Sequence, residues 1–367
     1  MNTTSNPFKG EKIIMEKIRV GFIGCGKIAQ VRHIPEADRR EDVIIGGYFN
    51  RTKAKAEDMA EKFGGKVYDT YQELLEDESI DAVVVSVANI LHADVTIEAL
   101  KKGKHVLCEK PMAMTLEESE LMVKTAKEEK KVLNIAHNQR LNTAHQKAKE
   151  LIAEGAIGKV LTFRTTFGHG GPEEWSSSPG KDVWFFYEDA AGMGAMADLG
   201  IHKTDLIEYL TGQKVVEVSA MLGTLDKRGS KGNLITVDDN AICLFRLSGG
   251  ALGTMTVSWT YYGPEDNSTI IYGSEGILYI YDDPEYPLKI VKKNQEILTF
   301  DVDEIQTNEN QTGSGVMDVF IEGITSGEET ILSGEVILSA MRAVFACEES
   351  FDEGKTITIE ENGGNQK

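Results

Sequence analysis

Short apolar runs alternate with helical stretches through the first third of the chain. Ile18 to Ile23 is mainly apolar and ends in glycines, and helical spacing follows from about Lys27 to Arg39. Val43 to Phe49 reads as a second strand, and Lys53 to Phe63 as a helix carrying Ala54, Ala56, Met59 and Ala60. The rhythm repeats with a strand near Lys66 to Tyr68, a helix at Thr70 to Leu75, a strand at Ala82 to Val87 and a helix at Val95 to Lys101. Lys104 to Cys108, Leu116 to Lys130 and Val132 to Ala136 then read as strand, helix and strand. Strands alternating with helices of these lengths predict a parallel sheet covered on both faces.

After Arg140 the pattern changes. Helix fills Ala144 to Ala153, and Val160 to Phe167 alternates like a half-buried strand. A glycine-rich, aromatic loop leads to a helix from about Met193 to Leu210. Short strands dominate from Val215 to Phe300: Val215 to Leu222, Ala241 to Leu247, Ala251 to Trp259, Ser268 to Tyr272, Ile277 to Tyr281 and Leu288 to Val291. Joined by Gly, Asp and Pro turns, they predict a largely antiparallel open sheet, closed by helices at Val316 to Thr325 and Val336 to Phe351. Met1 to Glu16 is polar, lacks signal-peptide character and reads as a frayed arm, with Met15 as an alternative start. Glu361 to Lys367 reads as a disordered tail. The expected fold is α/β, with an N-terminal doubly wound parallel sheet over 16–140 and a C-terminal α+β domain over 141–360 that binds substrate and mediates oligomerisation.

The chain of 367 residues has room for two cores, because single cores rarely grow beyond roughly 250 to 300 residues. A formal net charge of −20 repels nucleic acid, and no apolar run is long enough to span a bilayer. Neither nucleic acid nor membrane is an expected partner. Any phosphate site must be built locally, from backbone amides or a placed cation. Cys25, Cys108, Cys243 and Cys347 are scattered without a CxxC pair or a metal-ligand spacing, which reads as free thiols in a reducing, cytoplasmic compartment.

Gly24-Cys25-Gly26-Lys27-Ile28-Ala29 spells G-x-G-x-x-A directly after a strand and at the opening of a helix, the context a dinucleotide fingerprint requires. Gly24 allows the tight turn and Gly26 the approach of backbone to pyrophosphate. Ala29 packs helix on strand, and Lys27 and Ile28 open the helix whose positive end faces the phosphates. The second strand ends at Asn50-Arg51, where the ribose 2′ position is read. Asn50 lacks the carboxylate that excludes a 2′-phosphate. Arg51 stacks on adenine and pairs with such a phosphate, or is a solvated charge at a helix start. NAD(H) and NADP(H) are both admitted.

Three further segments carry a resemblance. Val87-Ala88-Asn89-Ile90-Leu91-His92, Glu109-Lys110-Pro111 and Asp198-Leu199-Gly200-Ile201-His202-Lys203-Thr204-Asp205 are similar to Thr-Pro-Asn-x-x-His, Glu-Lys-Pro and Asp-x-Gly-x-His-x-x-Asp. These are signatures of the glucose-fructose oxidoreductase, inositol dehydrogenase and rhizopine-catabolism family. The resemblance runs from Lys17 to about Thr358. Two departures stand out: Val87-Ala88 replaces Thr-Pro, and Trp184-Phe185 replaces a Trp-Arg pair.

The resemblance implies a nicotinamide-dependent dehydrogenase or reductase acting on a hydroxyl or carbonyl carbon of a sugar, sugar derivative or cyclitol. It places Asn89, His92, Glu109 and Lys110 at the cofactor. Hydride transfer from a carbinol needs a neighbouring acid/base, and the resemblance assigns that space to Lys110 and His202, with roles that are interchangeable. A helix beginning near Met193 sets Asp198, His202 and Asp205 at i, i+4 and i+7, on one face, so Asp198 either binds substrate or orients His202. Arg140 and Trp184 are candidate substrate contacts, with an interdomain ion pair and a core aromatic as the other readings. His169, in the glycine-rich loop after Phe167, reads as a solvated histidine, with the lining of the substrate pocket as the other reading. Two alternatives remain: a family member whose hydride is returned within one turnover, giving net hydrolysis, elimination or epimerisation, and a cofactor-binding regulator without catalysis. A homodimer or homotetramer is expected. The run Ala241 to Leu247 either lines such an interface or packs on the domain's own helices.

Overall fold

The structure is a computed structural model that describes residues 17–177, 179–303 and 313–360. The expected N-terminal arm, Met15 and the C-terminal tail lie outside the described residues.

Six parallel strands form the first sheet: β1 (Ile18–Ile23), β2 (Val43–Phe49), β3 (Lys66–Val67), β4 (Ala82–Val85), β5 (His105–Cys108) and β6 (Leu133–Ile135). Their order is β3-β2-β1-β4-β5-β6. The direction of winding reverses between β1 and β4, and a crevice for a ligand opens at such a switch point. Helices α1 (Ile34–Asp38), α2 (Lys53–Phe63), α3 (Tyr71–Glu76), α4 (His92–Lys101) and α5 (Leu116–Glu129) make the crossovers. Thr70 caps α3, and Thr115 with Glu118 forms a capping box on α5, each satisfying amides that a helix leaves open. The helix after β1 begins with a π-turn, Ala29–His33, and continues as α1. Arg32, His33 and Ile34 are therefore buried in succession.

The second sheet has nine strands. After α6 (Thr143–Ala153) come β7 (Val160–Gly168), the short helices α7 (Pro172–Trp175) and α8 (Glu188–Ala191), and a π-turn, Met196–Gly200, that runs into α9 (Ile201–Thr211). Then follow β8 (Val215–Gly223), β9 (Asn240–Leu247), β10 (Leu252–Ser258), β11 (Thr269–Gly273), β12 (Gly276–Ile280), β13 (Leu288–Lys292) and β14 (Ile297–Phe300). Helices α10 (Val316–Ser326) and α11 (Gly334–Glu353) precede the short β15 (Ile357–Thr358). The order is β14-β13-β12-β11-β7-β10-β9-β8-β15. Neighbours are antiparallel except β7 and β10, which run parallel.

Helix α9 is buried all round from Ile201 to Leu210, so it is a core helix and not an amphipathic one. In β9 the two expectations for the run Ala241 to Leu247 divide by face. Ala241, Cys243, Phe245 and Leu247 point into the core, while Ile242 and Leu244 remain 55% and 56% exposed. One expectation fails for α10. Expected to close the second domain, it packs Val316, Met317, Phe320 and Ile321 into the core of the first sheet, beside Phe22, Ile34, Tyr48 and Leu107. Among the described residues no helix is long and apolar enough to cross a membrane.

Candidate active site

The glycine turn closes β1 onto the tip of β4. Gly24 has φ +99°, and a Cβ there would lie 2.2 Å from the Ser86 carbonyl oxygen, so only glycine fits. Gly26 differs: a Cβ would meet nothing nearer than that same oxygen at 3.9 Å. The space beside its backbone is thus free of protein and open to a pyrophosphate, which fits a dinucleotide. Lys27 and Ile28 are half-buried at the opening of the helix. Asn50 holds the turn, accepting from the Cys25 amide at 2.9 Å and donating to the Thr52 carbonyl at 2.9 Å. One lone pair and one N–H of the amide are thereby committed to protein. Arg51 is exposed and has no hydrogen bond or ion pair among the described residues.

Glu109 follows β5, and its carboxylate is fully engaged. Oε1 lies 2.7 Å from His33 Nε2, and Oε2 accepts from the Lys110 amide at 3.1 Å. Burial alone would raise its pKa, but His33, Arg32 and Lys110 outweigh burial and hold it at about 2. His92 lies between two carbonyls, Pro111 at 2.7 Å from Nδ1 and Val87 at 3.2 Å from Nε2. Burial pushes its pKa down, so the ring is neutral and its single N–H serves the nearer carbonyl. The Asn89 amide donates to Ala191 O at 3.0 Å, tying the β4 tip to α8. Glu109, His92 and Asn89, expected at the cofactor, make these contacts within the protein.

The chemistry gathers where β5 meets the second π-turn. Lys110 Nζ donates to Asp198 Oδ1 at 2.7 Å and to the Asp198 carbonyl at 3.0 Å. The other carboxylate oxygen, Oδ2, accepts from Trp259 Nε1 at 3.1 Å. His202 follows Asp198 by one turn. Its Nδ1 is sealed without a partner, which leaves Nε2 as the accessible nitrogen. Burial first, and then the positive charges of Lys110 and Arg32, hold the His202 pKa well below 6.5, so the ring is a neutral proton acceptor at pH 7. A cation paired to a carboxylate beside a neutral imidazole can polarise a carbinol oxygen and take its proton.

Arg140 is not beside this group as a substrate contact. Its Nε and Nη2 fork onto Asp205 at 2.8 and 2.6 Å, and Nη1 donates to Ile331 O at 2.8 Å. With both partners buried, the pair fixes α9 to the segment after β6. Asp205 Oδ2 also lies 3.2 Å from His137 Nδ1, and the His137 ring meets His202 edge-on at 6.0 Å between centroids, so Asp205 adjoins His202 through His137. Trp184 is half-buried and stacks on Phe185 at 3.8 Å between ring centroids. His169, expected in solvent, is only 8% exposed. Its ring contacts Phe167 and Trp175, and Phe167 in turn contacts His202. His169 Nδ1 accepts from the Gly171 amide at 3.0 Å, which places the proton on Nε2. Burial lowers the His169 pKa, and the charges of Asp198 and Lys110 also act on it.

Trp259 belongs to no sequence motif and His169 reads first as a solvated loop residue, yet the two-residue alternation of β7 and β10 carries on to both. Phe163 and Thr165 are buried ahead of His169, as are Met255 and Val257 ahead of Trp259.

Comparison with known proteins agrees with this geometry. The sequence profile of an oxidoreductase family with an NAD-binding Rossmann fold, GFO/IDH/MocA, matches residues 18–137, and the profile of the GFO/IDH/MocA C-terminal domain matches 145–279. The levoglucosan dehydrogenase of Pseudarthrobacter phenanthrenivorans is 28% identical over 79% of this chain and 78% of its own length. The myo-inositol 2-dehydrogenase of Thermotoga maritima is 27% identical over 94% of this chain and 99% of its own. A solved levoglucosan dehydrogenase in complex with NADH and L-sorbose superposes with a TM-score of 0.80 at 25% identity, covering 94% of this chain and 99% of that one. With both halves of the chain matched and the glycine cradle in place, the protein belongs to the GFO/IDH/MocA family of NAD-binding oxidoreductases.

Proposed function

We propose that the protein oxidises a secondary hydroxyl of a sugar, sugar derivative or cyclitol, or reduces the corresponding ketone, in the cytoplasm. The observation that carries this reading is the Lys110–Asp198 pair at 2.7 Å beside a neutral His202. The cofactor supplies the hydride acceptor. Gly24, Gly26, Lys27 and Ile28 receive its pyrophosphate, and Arg51 reaches the adenosine end. His202 Nε2 takes the carbinol proton, Lys110 holds the developing alkoxide, and Asp198 fixes Lys110. His169, with its proton on Nε2, donates to a neighbouring hydroxyl, which suits a polyol. Levoglucosan and myo-inositol, named for the two relatives, are the first substrates to try.

The test separates binding from turnover. Lys110→Ala and His202→Asn should leave cofactor affinity within a few-fold, while turnover falls by roughly 10²- to 10⁴-fold. Gly26→Val should abolish binding by filling the cradle. A double Lys110→Ala, His202→Asn variant with near-normal turnover would overturn the mechanism.

The nine-stranded sheet supports a second part of the proposal. Met221, Ile242 and Leu244 share its outer face with Thr254 and Thr256, and Met221 is 75% exposed. A second copy of the chain would cover this face in a homodimer or homotetramer. Sedimentation should find that assembly, and Leu244→Glu should dissociate it.

A further inference from the structure

Arg32 is the polar group this fold leaves most conspicuously unsatisfied. It is 6% exposed, it forms no hydrogen bond or ion pair among the described residues, and its Nε is sealed from solvent without a partner. The little access that remains is at the Nη end of the guanidinium. A buried guanidinium carries five donors and no acceptor, and leaving it without lone pairs in contact is costly. Something other than the chain must supply them.

The surroundings narrow what that is. The two carboxylates whose charge acts on Arg32 are Glu109 and Glu36. Both are occupied elsewhere: Glu109 by His33 and the Lys110 amide, and Glu36 by Ser314 and the Met317 amide. Arg32 therefore has counter-charge nearby and lacks only an acceptor in contact. A third carboxylate or a phosphate would overload the site with negative charge, whereas a neutral carbonyl oxygen completes it.

Position points the same way. Arg32 belongs to the helix that opens at the glycine turn, and its charge is also felt at His202. Its helix starts at the pyrophosphate cradle, and its charge reaches across the interval to the proton acceptor. The nicotinamide must occupy that interval, because its C4 has to come within roughly 3 to 3.5 Å of a carbinol carbon beside His202. The carboxamide is attached at the adjoining ring carbon.

We propose that Arg32 donates to the carboxamide oxygen of the nicotinamide, and so fixes which face of the ring meets the substrate.

The experiment measures equilibrium binding of two probes to the full chain by titration calorimetry. One is NADH. The other is ADP-ribose, which keeps the pyrophosphate and adenosine but lacks the nicotinamide. If the wild type prefers the phosphorylated cofactor, NADPH and 2′-phospho-ADP-ribose replace them. Arg32→Gln should weaken NADH about 10- to 100-fold, the loss of a charge-assisted contact, and leave ADP-ribose within two-fold. Arg32→Lys, which keeps the charge without the fork, should fall between and serves if Arg32→Gln does not fold. Thio-NADH, with a weaker acceptor at that position, should bind the wild type less well than NADH but show no such difference in Arg32→Gln. Parallel loss of both probes would make Arg32 a purely structural residue and overturn the proposal. So would unchanged NADH affinity accompanied by a raised substrate KM. Neither result would touch the roles of Lys110 and His202, which are read from turnover.

Discussion

Replacing Arg140 by methionine tests whether this residue holds the fold together or touches substrate. The substitution keeps an apolar stem but removes three hydrogen bonds, two to Asp205 at 2.8 and 2.6 Å and one to Ile331 O. Arg140 and Asp205 are 4% and 1% exposed, so solvent cannot replace the lost partner. Breaking one side of a buried pair costs about 3–5 kcal/mol. His137 Nδ1 remains 3.2 Å from Asp205 Oδ2, but a histidine is a counter-charge only when protonated. In the wild type, burial acts to raise the Asp205 pKa, but His137 and Arg140 outweigh burial and hold it well below the ordinary carboxylate value of 3.8. The pair therefore stabilises the fold above pH 3.8, and the benefit fades as pH falls through the lower folded value. In the variant burial is opposed by less charge and the folded pKa rises. The stability gap between the two proteins should be full at neutral pH and narrow towards acid. Urea denaturation followed by tryptophan fluorescence from pH 7 down to below about pH 4 reads both. Arg140→Met with Asp205→Leu should recover most of the loss, since an apolar pair of similar volume is often no worse. A single variant within about 1 kcal/mol of wild type, or one of full stability with a raised substrate KM, would refute the reasoning.

Three other outcomes follow from the site. The acid limb of kcat/KM for oxidation should fall below pH 6.5, because His202 must be neutral and its pKa is depressed; in Lys110→Met the limb of the residual activity should move upward, and an unmoved limb would place the proton acceptor elsewhere. Arg51→Ala should weaken NADPH more than NADH by about 1.5–3 kcal/mol if Arg51 pairs with a 2′-phosphate, whereas equal losses leave only adenine stacking. Trp259→Phe removes the donor on Asp198 Oδ2; the cost of about 1–2 kcal/mol should fall on kcat, with cofactor affinity unchanged in fluorescence titration.

The first sheet was legible because each of its strands is bounded by a glycine, a helix start or a charge. Val43–Phe49 and Lys53–Phe63 end where the pattern placed them. The glycine turn was legible for a similar reason: its residues are close in sequence and its requirement is on backbone. Side-chain direction was harder to read. Asn50 and Asn89 are amides suited to a cofactor, but whether an amide faces a ligand or a neighbouring carbonyl is settled by folding. Arg140 finds Asp205 across 65 positions, and Lys110 finds Asp198 across 88; no local period encodes such partners. Helix α10 misled because its apolar stripe shows that it packs, and says nothing about which sheet receives it. β14 and β15 went unseen for want of length, at four and two residues.

The two π-turns have a bearing on how related sequences should be compared. In a regular helix consecutive residues diverge by about 100°, yet Arg32 and His33 both face inward, and Asp198 sits within the matching turn of the other domain. Each turn accommodates an extra residue without breaking the rod, as single π-bulges do at functional sites. Against any sequence that lacks such a turn, an alignment that forbids gaps inside helices would pair the wrong residues downstream of it. A graft made on that register would carry the right letters and point them the wrong way. Shifting the graft by one position should restore the His33–Glu109 contact.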